Sequence, residues 1–251
     1  MNPAELCRDI IDWLQREVFS SGGKGAIFGL SGGIDSALVA VLCKKAFDNR
    51  CLALIMPCHS LDIDTENALL LAREFEIPYM IISLDGVFDQ MLLSLGEKPE
   101  EAGKSLAAAN IKPRLRMTAL YYHAAKNGYR VIGTGNKSEI AIGYFTKYGD
   151  AGVDLEPIGD LLKEEVIKLS EYLQIPREII DREPTAGLWE NQNDEDEMGF
   201  SYRELDCYLR GEAVDPAIQK KIAEMQRSSE HKRNMPPIYL KNNKAGSKGA
   251  N

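Results

Sequence analysis

Four short and nearly unbroken apolar runs set the strongest limit on how this chain can fold. Residues 26–30 (AIFGL), 51–57 (CLALIMP), 77–84 (IPYMIISL) and 130–134 (RVIGT) each have strand length. Runs without polar alternation suit strands buried on both faces, the pattern of a parallel sheet. Between and around them, apolar residues recur at helical spacing over residues 3–19, 36–47, 64–75, 86–95, 106–127 and 160–173. Strands alternating with helices predict an open α/β fold, a mostly parallel sheet with helices on both faces. Ligands in such folds bind at the carboxyl ends of the strands. Pro113 should start or kink the helix over 106–127, and Asp62 or Asp64 is the expected cap of the helix over 64–75.

The last quarter reads differently. Residues 97–103 and 190–197 are expected to be loops; the second holds five acids in eight residues and reads as solvated and mobile. Residues 201–209 and 216–226 read as helices, which gives a helical C-terminal part. Residues 241–251 read as a frayed, disordered tail on a single domain spanning 1–251.

Charge and cysteine usage narrow the class. A net charge of −8 and a pI of about 5.1 argue against broad nucleic-acid binding, which needs a dominant basic surface. The five cysteines form no C-x-x-C pair, and the three histidines show no metal-ligand spacing with them. A reduced protein is expected. No apolar run approaches the ~18 residues of a membrane span, and the charged N-terminus is no signal peptide. The expected location is the cytoplasm.

The chemistry concentrates in residues 29–36: Gly29, Leu30, Ser31, Gly32, Gly33, Ile34, Asp35 and Ser36. This stretch follows a strand signal and opens a helix signal. Gly32 and Gly33 are free to take positive φ and let backbone approach a ligand. Backbone N–H groups and the helix N-terminus then face an anion, and Ser31 and Ser36 add hydroxyls. Asp35 would repel a phosphate, so it makes sense as a holder of Mg²⁺, which bridges phosphates and carboxylates. The stretch lacks the lysine of the G-x-x-x-x-G-K-[ST] loop and is not G-x-G-x-x-G.

S-G-G-I-D-S resembles the signature of the ATP pyrophosphatase (PP-loop) superfamily, whose fold is the adenine nucleotide alpha hydrolase-like one. That resemblance implies cleavage of ATP between its α and β phosphates, with pyrophosphate held by the loop. Residues 133–150 (GTGNKSEIAIGYFTKYGD) resemble the matching segment of the ammonia-dependent NAD synthetases, as do 110–117 (NIKPRLRM), 183–188 (EPTAGL) and 229–233 (SEHKR). The similarity runs from about residue 4 to about residue 237. It implies a homodimer and a ligase that amidates deamido-NAD to NAD through a deamido-NAD adenylate, releasing AMP and pyrophosphate.

The roles transfer by position. Asp35 and Glu139 fall on the family's metal-binding acids, and Thr134, Lys163 and Thr185 on groups near ATP. By helical pattern alone Lys163 is a solvated residue. Arg114, Lys147, Asp154, His231 and Lys232 fall on deamido-NAD-binding positions, with Arg114 open to a phosphate or to the nicotinate carboxylate. Tyr144 and Phe145 fall where the family stacks aromatics on the nicotinate ring. Asp150 matches an acid that either takes a proton from ammonium or only binds the cation. Gly135-Asn136 departs from the D-H of many bacterial members. No glutaminase domain precedes the first strand, so free ammonia, or ammonia from a separate donor protein, is expected. The N-terminal helix and the helix around Leu115 to Tyr122 are candidate dimer surfaces. A sulfur-transferring PP-loop enzyme would carry a cysteine pair, and a tRNA-modifying one would be more basic. A sensor without turnover would have lost a metal acid or phosphate group; Asp35, Glu139, Lys163 and Thr185 are all present.

Overall fold

The structure, a computed structural model, describes residues 2–99, 105–185 and 193–240. Strands β1 (Ala26–Gly29), β2 (Cys51–Ile55), β3 (Tyr79–Ile81) and β4 (Arg130–Ile132) form one sheet, parallel throughout, in the order β3-β2-β1-β4. The chain runs outward from β1 through β2 to β3, then crosses to the other side of β1. The order therefore reverses between β1 and β4, and the crevice at their carboxyl ends is where such a sheet takes ligands. Phe28 pairs with Ile132, so Gly29 and Gly133 leave the sheet level with each other.

The helices among the described residues are α1 (Pro3–Ser20), α2 (Ile34–Phe47), α3 (Asp62–Glu74), α4 (Asp85–Ser94), α5 (Leu106–Ala109), α6 (Ile111–Asn127) and α7 (Lys137–Ile142). They continue with α8 (Lys163–Tyr172), α9 (Arg177–Ile180), α10 (Asp194–Met198), α11 (Tyr202–Leu209), α12 (Pro216–Ser228) and α13 (Glu230–Arg233). Alternation along the strands feeds two cores. Ala26, Phe28, Ala53 and Ile55 pack with α1, α2, α3, α8 and α9; Ile27, Leu54 and Val131 pack on the other face with α4 and α6. A smaller cluster of Ile142, Met198, Phe200, Tyr202, Leu205 and Ile222 joins α7, α10, α11 and α12. Helix α2 has 11 of its 14 residues buried, because α1, α8 and the sheet surround it, and its lysines, Lys44 and Lys45, are confined to the last turn. Among the described residues no helix is long and apolar enough to cross a membrane.

Several expectations need correction. The helix over 106–127 breaks at Asn110, and Pro113 sits in the first turn of α6, where its missing N–H is no loss. Leu61, not Asp62 or Asp64, is the N-cap of α3, and both acids lie in its first turn. Strand β3 is an edge whose three side chains are all exposed, so it is not buried on both faces. Helix α1 turns Ile10, Leu14 and Val18 inward, so its apolar stripe serves the core. Exposed apolar groups gather instead on β3, α4 and α6, including Ile81 at 53% and Tyr122 at 64%. The second half of the acidic stretch is not a solvated loop. Asn193 caps α10 by accepting from Glu195 and Asp196 N–H, and Asp194 and Met198 are buried. The tail over 241–251, the tip of the 97–103 loop and residues 190–192 lie outside the described residues.

Candidate active site

Between β1 and α2 the loop closes on itself. Leu30 N–H donates to Leu54 O at 2.9 Å, which carries the β1 pairing into the loop. Gly32 takes φ +84°, and a Cβ there would lie 2.3 Å from the Asp64 carbonyl. Only glycine fits, and it packs against α3 instead of facing the cavity. Gly33 does not take positive φ; at −88° it is the extended N-cap of α2. The Ser36 hydroxyl donates to Gly33 O at 2.9 Å, accepts from Ser31 N–H at 3.2 Å, and lies 3.0 Å from the Ser31 hydroxyl. The two serines thus hold the loop's curvature as well as lining the cavity. Asp64 forms an ion pair of 2.6 Å with Arg182, which fixes the segment that seats Gly32.

The cavity beside this loop has a volume of about 440 Å³. Gly29, Leu30, Ser31, Gly33, Ile34, Asp35 and Ser36 line it, with Thr134, Glu139, Tyr144, Phe145, Asp150, Lys163, Thr185 and Lys232. At its centre the Lys163 ammonium lies 2.5 Å from Asp35 Oδ2 and 3.6 Å from Glu139 Oε1. Lys163 is only 5% exposed, so it is no solvated helix residue. Burial alone would depress its pKa, and the charges of Asp35 and Glu139 reverse that and raise it. Burial first, then the Asp35 charge, push Glu139 up to about 8. Asn136 caps α7 in a capping box with Glu139 and donates its Nδ2 to Asp35 Oδ1 at 2.9 Å.

Asp35 and Glu139 also settle whether the residues suit a divalent cation. Two carboxyl groups, brought together from α2 and α7, share one buried ammonium, and an added cation would favour the ionised form of Glu139. Their oxygens are hard donors, and Mg²⁺ is usually held by one or two carboxylates plus phosphate oxygens. The donor set fits. Among the described residues no group of three or more acids, histidines or cysteines forms a closed metal cage.

Aromatic groups form the opposite wall. Tyr144 donates to Asp194 Oδ1 at 3.0 Å or to Glu197 Oε2 at 2.6 Å. Tyr202 Oη lies 3.2 Å from Asp194 Oδ2 and 3.3 Å from Glu139 Oε1, and its ring sits 4.9 Å from the Lys163 ammonium. Lys232 donates to Gly143 O and Phe145 O, both at 2.8 Å, above the Phe145 ring. Asp150, exposed at the cavity wall, accepts from Thr146 N–H at 2.9 Å; desolvation by the surrounding chain raises its pKa against that hydrogen bond.

Four of the expected substrate residues stand elsewhere. Arg114 donates to Asn110 O and Lys147 O at the outer end of α6, and Lys147 donates to the His231 carbonyl. Asp154 accepts from Val131 N–H and Tyr121 Oη beside β4. None of these four lines the cavity; three of them, Arg114, Lys147 and His231, make a basic rim linked through backbone carbonyls. Residues that pattern reasoning did not single out also line the site or brace it from behind. They are Asn136, Asp194, Arg116, which donates to Met56 O and Ser60 Oγ, and Glu156, which accepts from Gly135 N–H. The N-x-x-E of Asn136 and Glu139 is a capping-box signal legible in the sequence.

The whole-chain comparisons agree on one family. The NAD synthase family model matches residues 6–236. The chain belongs to the NAD synthase family. It is 45% identical over 242 residues to the NH(3)-dependent NAD(+) synthetase of Syntrophomonas wolfei, covering 96% of this chain and 97% of that one. Among solved structures it resembles an NMN synthetase from Francisella tularensis, with a TM-score of 0.90 and 35% identity over 95% of this chain and 99% of that one. It also resembles an NH3-dependent NAD synthetase from Campylobacter jejuni, with a TM-score of 0.80 and 31% identity over 96% and 100%.

Proposed function

We propose that this NAD synthase family member amidates deamido-NAD to NAD with ammonia, using ATP and releasing AMP and pyrophosphate. The observation that carries the reading is the meeting of Asp35, Glu139 and Lys163, from three separate segments, beside the loop of residues 29–36 at one cavity. The loop N–H groups and the α2 N-terminus hold the β and γ phosphates. Lys163 offsets charge as pyrophosphate leaves. Asp35 and Glu139 would hold Mg²⁺, which supplies phosphate charge neutralisation when bound. Thr134 and Thr185 flank the nucleotide.

Tyr144 and Phe145 hold the nicotinate ring so that its carboxylate oxygen reaches the α-phosphorus; the new P–O bond forms as the bond to pyrophosphate breaks. Ammonia then attacks the activated carbonyl carbon and AMP departs. The raised pKa of Asp150 brings it closer to that of ammonium, which suits proton transfer from ammonium to its carboxylate. Lys232 at the wall, with Arg114, Lys147, His231 and Asp154 beyond it, binds the rest of the dinucleotide. Two copies associate through β3, α4 and α6, whose exposed apolar side chains need cover. We place the enzyme in the cytoplasm, supplied with free ammonia or with ammonia from a separate donor.

The likeness to the Francisella NMN synthetase supports a second reading, with a mononucleotide acid as substrate. Purified protein with ATP, Mg²⁺ and ammonium, offered deamido-NAD or nicotinic acid mononucleotide, distinguishes them. NAD and AMP in equal amounts from the dinucleotide are the expected products. Turnover of the mononucleotide alone supports the second reading, and no amide from either acid refutes both. Replacing ammonium by glutamine should abolish product.

A further inference from the structure

Helix α8 starts with a deficit. Its N-cap is Leu162, whose side chain has no acceptor for the N–H groups of the first turn. The acceptors come from elsewhere. Lys163 N–H donates to the Ser138 hydroxyl at 3.1 Å, and Ser138 in turn donates to Asp206 Oδ1 at 2.5 Å. The second Asp206 oxygen accepts from Glu164 N–H at 2.9 Å. Asp206 is 1% exposed and Ser138 is fully buried. No cation pairs with Asp206 among the described residues, so its charge rests on these hydrogen bonds and on the positive end of α8.

Each contact fixes part of the reactive centre. Ser138 precedes Glu139 on α7, and Lys163 is the first residue of α8. Asp206 therefore ties together the two helix starts that carry an acid and the lysine. One turn earlier on α11, Tyr202 reaches Glu139 with its hydroxyl and Lys163 with its ring. A carboxylate supplies both acceptors at once; an amide supplies one, and its nitrogen would force the Ser138 hydroxyl to give up its role as donor.

We infer that Asp206, acting through Ser138, is a positioning residue that sets the placement of Lys163 relative to Glu139 and Asp35. This rests on the reading of those three groups as the Mg²⁺-phosphate centre. A displacement near 1 Å at such a centre costs on the order of 100-fold.

The test uses full-length Asp206→Asn and Ser138→Ala, with kcat, each KM, the half-saturating Mg²⁺ concentration and Mg·ATP binding by calorimetry. The expected result is a kcat lower by about 10- to 100-fold and a raised Mg²⁺ requirement, with KM for deamido-NAD unchanged. The double variant should lose less than the product of the two single losses, because both lesions cut the shared Ser138–Asp206 bond. Wild-type kcat and Mg²⁺ requirement in folded variants would overturn the inference, as would equal losses in every KM. Where Asp206→Asn fails to fold, Ser138→Ala decides. If the wild type makes no NAD, the functional reading has failed, and Mg·ATP binding alone then decides the role of Asp206: weaker in the variants supports it, equal overturns it.

Discussion

Replacing Lys163 with methionine removes a cation from a place where two carboxylates depend on it. Lys163 is 5% exposed, and its ammonium lies 2.5 Å from Asp35 and 3.6 Å from Glu139. Methionine fills most of the volume, so the loss is chiefly electrostatic. Removing one partner of a buried ion pair costs about 3–5 kcal/mol, since the remaining charges stay desolvated. For a chain of this size that is a fall in Tm of roughly 6–20 °C. Mg²⁺ should restore more stability to the variant than to the wild type, because Asp35 and Glu139 no longer have an internal cation to satisfy them. Thermal melts with and without Mg²⁺ read both effects, and pyrophosphate release should fall by about 100- to 1,000-fold. An unchanged Tm together with an equal Mg²⁺ response in both proteins would refute the account of Lys163 as the internal counter-charge.

Three further outcomes follow from neighbouring contacts. Tyr202→Phe removes a buried hydroxyl from Glu139 and Asp194 and should cost about 1.5 kcal/mol, because one hydrogen serves two charged acceptors; denaturant unfolding checks it, and a neutral result would deny the contact any weight. Burial raises Glu156 to about 8, above its unfolded value. A raised carboxyl contributes stability that is full below the unfolded pKa and lost as pH rises through the folded one. The wild type should therefore lose stability between about pH 4.5 and 8, and Glu156→Gln should flatten that slope; parallel Tm–pH curves would contradict it. Ile81→Lys on the exposed edge strand should convert the proposed dimer to monomer in analytical ultracentrifugation, and a dimer persisting in the variant would move the interface elsewhere.

The sheet was legible because its signals are local. Apolar runs such as CLALI name a buried strand without reference to anything distant. The turn at Gly32 and Gly33 was legible as a loop, but not the division of labour within it, since the demand on Gly32 comes from the Asp64 backbone. Lys163 shows the limit most clearly. Its neighbours along α8 give it a helical pattern that reads as solvated, and only α2, α7 and α11 together bury it. Resemblance to a family supplied that residue where periodicity did not. Asp194 escaped for a related reason: a run of acids reads as solvated, and its burial depends on the Tyr144 and Tyr202 hydroxyls from distant segments. The break at Asn110 came three residues ahead of Pro113 because proline is tolerated within a first turn.

Every residue of helix α2 from Ser36 to Cys43 is buried. A helix wrapped by core on every side cannot open by itself, so its amides should exchange with solvent only when the domain unfolds as a whole. The turn of residues 30–33 sits at the front end of that helix. Its shape is therefore guarded by the global folding free energy, while any opening that admits or releases ligands has to come from the opposite wall. The same wrapping leaves the helix little freedom to drift: a charged residue at any of its 11 buried positions is a folding lesion before it is a catalytic one.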